Sequence, residues 1–188
     1  MAEDAIIHID RLPYIISQID VPENCFYGLM FVKIRGKMIF TVTDETLYVY
    51  WMGQITAPIA TYNLGGRVRA GLFIGNRLYL GGHSCLHVFE VTQSLFEPLI
   101  ALEPPIPNLI RTRKILRLNS HLLLLVGDGG YLQLFDVDSS TVTHTHYFVE
   151  TGGGTIRDAL AIDEEHFLLA ALNGIIKTTK DQLLTHYY

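Results

Sequence analysis

VRAGLFIGNRLYLGGHSCLHVFEV, residues 68–91, decides how this chain is to be read. It contains three short apolar runs, 68–74, 77–81 and 85–91, separated by Gly75-Asn76 and by Gly82-His83-Ser84. Runs of this length bounded by Gly, Asn and Ser predict antiparallel strands joined by hairpins. The pattern returns. VRAGLFI at 68–74 is matched by TRKILRL at 112–118 and IRDALAI at 156–162, and Arg69, Arg113 and Arg157 follow one another at a constant spacing of 44 residues. The organising unit is therefore a repeat of about forty-four residues.

Composition bounds the rest. Of 188 residues, 49% are apolar and 18% charged, enough to build a core and unlike a disordered chain. A net charge of −5 argues against a general nucleic-acid binder. No apolar run reaches the roughly 20 residues of a membrane helix, and the acidic start MAEDAIIHID is unlike a secretory signal. Cys25 and Cys85, sixty apart, have no metal-ligand spacing. They are expected to be reduced thiols of an intracellular, cytoplasmic protein.

Along the chain, residues 1–27 stand outside the repeat, with β-prone runs at 5–9 and 14–19; they are expected to be an N-terminal extension or a closing strand. Four units follow, at about 28–64, 65–108, 109–154 and 155–188. Each is expected to be a four-stranded antiparallel sheet. The first unit has strands at 29–34, 37–42, 47–51 and 55–62. Pro58 requires that last strand to be an edge, since proline cannot donate to the ladder. The second has its outer strand near 98–102, then the extended connector EPPIPN at 103–108. The third runs 110–118, 121–126, 131–137 and 141–149, and TGGGT at 151–155 is a joint. The fourth runs 156–162, 167–171 and 175–179, with an outer strand at 183–188. Helix periodicity is absent, apart from a single turn expected at 92–96.

The third strands carry a further mark. VYW at 49–51, VFEV at 88–91 and LFDV at 134–137 each hold an aromatic residue near an acidic or polar exit. This resembles the WD40-type β-propeller, in which that strand ends in Trp-Asp; Phe135-Asp136 is the nearest match. The family's Gly-His pair and a true Trp-Asp are missing, so its shared polar network is not carried over. The resemblance covers about residues 28–188. It implies an all-β propeller or partial propeller acting as a noncatalytic scaffold that binds proteins or peptides over its narrow face, without a cofactor. Propellers of this family usually have seven or eight blades. Four blades are thus expected to form a compact ring, to belong to a larger chain, or to be completed by a second copy in a homodimer. An open arc would expose several hundred Å² of apolar surface, at a cost on the order of 10 kcal/mol.

Arg69, Arg113 and Arg157 begin the innermost strands of three units; the matching place in the first is assigned to Cys25 or Phe26. The turns holding Asp44, His83, Asp128 and Asn173 are expected on the same face. Three arginines around one mouth would grip a carboxylate-rich or phosphorylated peptide by bidentate contacts. The competing expectation is that each pairs with an acidic turn residue and keeps blades in register.

Other clusters have plainer readings. His144 and His146 share one side of a strand but lack a third ligand. GDGG at 127–130 and GGG at 152–154 lack the helix and the Lys-Ser/Thr of a nucleotide loop. Asp163-Glu164-Glu165 is a solvated turn. Partners are therefore expected to be protein or acidic peptide, with no nucleic acid, no membrane and no metal. Self-association, or an enzymatic or small-ligand propeller, stands as the alternative.

Overall fold

The structure is a computed structural model that describes residues 29–83, 85–102, 104–107, 110–147 and 155–185. The strand or connector expected within 1–27 and the joint at 151–154 lie outside the described residues. The sheets are antiparallel and follow chain order. The first blade is β1 (Leu29–Arg35), β2 (Met38–Thr43), β3 (Thr46–Trp51) and β4 (Ala60–Asn63). The second is β5 (Val68–Ile74), β6 (Arg77–Gly82), β7 (Cys85–Val91) and β8 (Leu99–Ala101), with β9 (Ile106–Pro107) also pairing β7. The third is β10 (Thr112–Arg117), β11 (Leu122–Gly127), β12 (Tyr131–Asp136) and β13 (Thr141–Tyr147). The fourth is β14 (Ile156–Ala161), β15 (His166–Ala171) and β16 (Gly174–Thr179), followed by the helix α1 (Lys180–Thr185).

Three segments depart from the sequence expectation. The first blade's outer strand starts at Ala60, beyond Pro58, so the proline is never asked to pair. The strand expected at 183–188 is replaced by α1 over its described part. Thr179 and Gln182 form a reciprocal cap: the Gln182 amide donates to Thr179 Oγ1 at 3.2 Å, and the Thr179 amide donates to Gln182 Oε1 at 2.9 Å. That Thr-x-x-Gln box starts a helix, and Leu183 anchors it in the core. Residues 92–97 form no helical turn; the Thr92 and Ser94 hydroxyls accept the amides of Ser94, Phe96 and Glu97 instead.

The core lies between blades. Phe40, Val49, Leu78 and Leu80 close the junction of the first and second. Tyr79, Ile115, Leu125 and Phe135 close the second and third. Leu124, Leu132, Ile156 and Phe167 close the third and fourth. Strands covered on both sides need apolar residues at both alternations, and LLLLV in β11 supplies them. Gly81 allows the close approach of the third blade: a Cβ there would stand 2.6 Å from Thr112 Cγ2. Among the described residues no apolar cluster joins the first blade to the fourth.

Candidate functional site

All four inner strands break register at the same place, and this sets the site. The bulge falls between Leu29 and Phe31, Val68 and Ala70, Thr112 and Lys114, and Ile156 and Asp158. A bulge leaves one residue out of the ladder and re-aims it. The residues left out are Met30, Arg69, Arg113 and Arg157. The 44-residue arginine spacing thus marks a structural position, and its counterpart in the first blade is Met30 rather than Cys25 or Phe26.

Opposite each bulge the second strand ends, and the next residue begins a turn. The pairs Val68↔Gly82, Thr112↔Gly127 and Ile156↔Ala171 make His83, Asp128 and Leu172 the turn residues that follow. In the first blade the equivalent is Asp44, after Leu29↔Thr43. Register therefore matches Leu172, not Asn173, to Asp128. Glycine is needed before the turn because the chain passes close by. A Cβ on Gly82 would meet the Arg67 carbonyl at 2.7 Å, and one on Gly127 the Arg111 carbonyl at 3.0 Å. Those carbonyls accept the amides of His83 at 2.9 Å and Asp128 at 3.2 Å.

The bulge arginines therefore meet different partners. Arg113 meets Asp128 as a fork: Nε donates to Oδ1 at 2.5 Å and an Nη to Oδ2 at 3.1 Å. Burial works against the Asp128 charge, but the Arg113 hydrogen bonds and charge, with Arg69 and Arg111 beyond, hold its carboxyl below the usual range. At the turn corresponding to Asp128, the second blade has His83, which offers Arg69 no carboxylate. Its Nε is buried and has no hydrogen-bond partner among the described residues. Burial, then the like charge of Arg113, lowers Arg69 from its ordinary value; Arg67 and Arg111 act in the same direction, and Asp128 opposes them. Burial and the charges of Arg111, Arg69 and Arg67 also push the His83 imidazole down, so it is neutral at pH 7. Arg157 is exposed, beside Leu172, and is not among the charges acting on Arg69, His83 or Asp128.

Two of the three expected arginines are thus brought together, and Arg157 stands apart. Arg67 and Arg111 are members that the sequence reading missed. The signal was an Arg-x-Arg pair, Arg67-Val68-Arg69 and Arg111-Thr112-Arg113, repeated with the same 44-residue spacing. Arg67 and His83 also line a groove of about 440 Å³, with Glu45, Gly65, Gly66 and Cys85. Arg67 Nε stands 4.0 Å from Asp44 Oδ1 there.

The remaining candidates are structural within the described residues. Phe135 is buried edge-on against Tyr79, ring centres 6.2 Å apart, and Asp136 Oδ1 caps the following turn by accepting the Asp138 and Ser139 amides. Asp163 Oδ1 closes its turn on the Glu165 and His166 amides. His144 and His146 belong to β13, and their side chains lie outside the described residues.

No family model matches this sequence, and no curated protein matches it. Solved structures do. The WD40 domain of Neurospora crassa Pan2 superposes with a TM-score of 0.61 at 9% identity, over 82% of this chain and 49% of that one. Kluyveromyces lactis Hsv2 gives 0.56 at 11%, over 81% and 49%. The computationally designed Ika8 protein gives 0.59 at 13%, over 80% and 45%. The chain therefore spans just under half the length of these solved structures. Four successive antiparallel sheets of three to five strands, inner bulges in register and apolar junctions between blades give this chain a WD40-like β-propeller fold.

Proposed function

We propose that this chain is a noncatalytic protein-interaction module whose arginine cluster, shared by the second and third blades, grips an acidic peptide. One observation carries the reading: Arg69 has a buried Nε without a hydrogen-bond partner among the described residues, and His83 stands where the next blade has Asp128. A guanidinium whose fork is not closed by the fold favours a carboxylate or phosphate from outside. Arg111 and Arg113 add positive potential beside it. The groups that meet there are arginines, a neutral imidazole and an ion-paired carboxylate, a set suited to holding an anion. Arg157 is not a member of this cluster.

The test uses a labelled glutamate-rich peptide and its phosphoserine counterpart, titrated at low and physiological salt. Losing one charge-assisted contact costs about tenfold in affinity, so Arg69→Met is expected to weaken binding by that factor while Arg157→Met does not. His83→Asp supplies Arg69 with the partner that Asp128 gives Arg113. It is expected to weaken binding at least as much as Arg69→Met does and to raise stability by up to about 1 kcal/mol. Equal binding by the wild type and both cluster variants would end the proposal.

A further inference from the structure

The junction between the third and fourth blades sets a register rule. Leu116, Leu118 and Leu132 of the third blade pack against the fourth and are almost fully buried. Strand register assigns their counterparts in the fourth blade: bulge alignment of β10 with β14 gives Leu160 and Ile162, and the pairs Val126↔Leu132 and Ala170↔Ile175 give Ile175. All are large and apolar, yet Leu160 is 61% exposed, Ile162 51% and Ile175 74%. The same holds at the other end. Ile115 of the third blade is buried against the second, while its register counterpart in the first blade, Val32, is 46% exposed and Ile34, two residues on, 60%. Val32, Ile34, Leu160, Ile162 and Ile175, all large and exposed, thus sit on the two terminal faces. Each carries the pattern that an interior junction buries.

We propose that these two faces are the halves of one junction, completed by a second copy of this chain. The fourth blade of one protomer packs on the first blade of its partner, the reciprocal junction forms on the other side, and the ring closes with eight blades. The proposed contact continues the blade-to-blade packing already present three times within the chain. One copy spans 45–49% of the solved structures it matches, so two copies supply about the length of one of them. A head-to-tail contact gives a closed assembly only when its rotation returns to the start, and closure removes both exposed faces together.

The experiment is the mass of the full chain in solution, by light scattering and sedimentation equilibrium at micromolar concentration. Twice 21.2 kDa is expected. Ile34→Asp and Ile175→Asp change side chains exposed in the single copy, so each is expected to keep the wild-type circular dichroism and to be monomeric. Val32→Asp and Leu160→Asp serve as second variants of the same faces. Mixing Ile34→Asp with Ile175→Asp is expected to restore a dimer, because one of the two junctions then has both native faces. A monomeric wild type at 100 μM overturns the proposal, as it would if another protein or further polypeptide covered these faces. So does a dimer that survives either substitution, which would be a like-to-like contact, and so does a filament or any closed ring of more than two copies.

Discussion

Arg69 and Arg113 show how far one residue's role depends on the residue across from it. Their equivalence was legible, since a constant spacing of 44 places them on the same bulge. Their difference was written in the turns as well, in Gly82-His83 against Gly127-Asp128, but pairing it with the arginines required strand register. A shift of one residue separates Leu172 from Asn173, and sequence spacing alone does not resolve it. His87 lacked any such signal, because a histidine on an alternating strand falls inside or outside according to what packs above it. It is 6% exposed, with its ring stacked on Phe89 at 6.2 Å and Nε2 3.2 Å from Cys85 Sγ. Burial pushes its pKa down, against a hydrogen bond to the Leu64 backbone. Below the ordinary histidine value of about 6.5 the unfolded chain then binds more protons than the folded one. Stability is therefore full above that pH and falls as pH drops from there through the lower folded value; His83 acts in the same sense. Thermal melts from pH 8 to 5 are expected to be level at first and then decline below about 6.5. His87→Gln is expected to flatten that decline, and an unchanged slope would show that His87 does not carry it.

At the scale of elements, the inner three strands of every blade were readable because each is a short apolar run closed by a turn residue, and the turns pin their register. The outer positions were harder. An outer strand has one neighbour, so its sequence is less constrained, and β4 begins five residues later than its apolar run suggests. The last element was misread because the repeat favoured another strand, while the local signal, Thr179-Lys180-Asp181-Gln182, was a capping box. Two backbone amides are satisfied by that box, and Leu183 is 1% exposed beneath it. Thr179→Ala is expected to cost about 1 kcal/mol, and Leu183→Ala about 2–5 kcal/mol through the cavity it leaves. Urea midpoints of the two variants give the order. If Thr179→Ala were silent, the helix would be held by Leu183 packing alone.

Over the whole molecule, stability resides in the junctions more than in the blades. Among the described residues, each of the three apolar clusters draws on two neighbouring sheets and reaches no further. In such a stack, stability is a sum of unit and neighbour terms, and weakening one junction uncouples what lies on either side. Phe135 is the residue on which to test this. It is fully buried in the middle junction, edge-on to Tyr79 of the second blade. Phe135→Ala is expected to cost about 3–5 kcal/mol. The chain carries its own reporter, since its single tryptophan, Trp51, lies in the first blade and packs against the first junction. In the wild type, Trp51 fluorescence and far-ultraviolet circular dichroism are expected to trace one denaturation curve. In Phe135→Ala the dichroism is expected to begin falling at lower urea, as the third and fourth blades loosen, while Trp51 holds until the first junction fails. Coincident curves shifted together would mean that the four blades fold as one unit, and that coupling along the arc is stronger than contacts between adjacent blades supply.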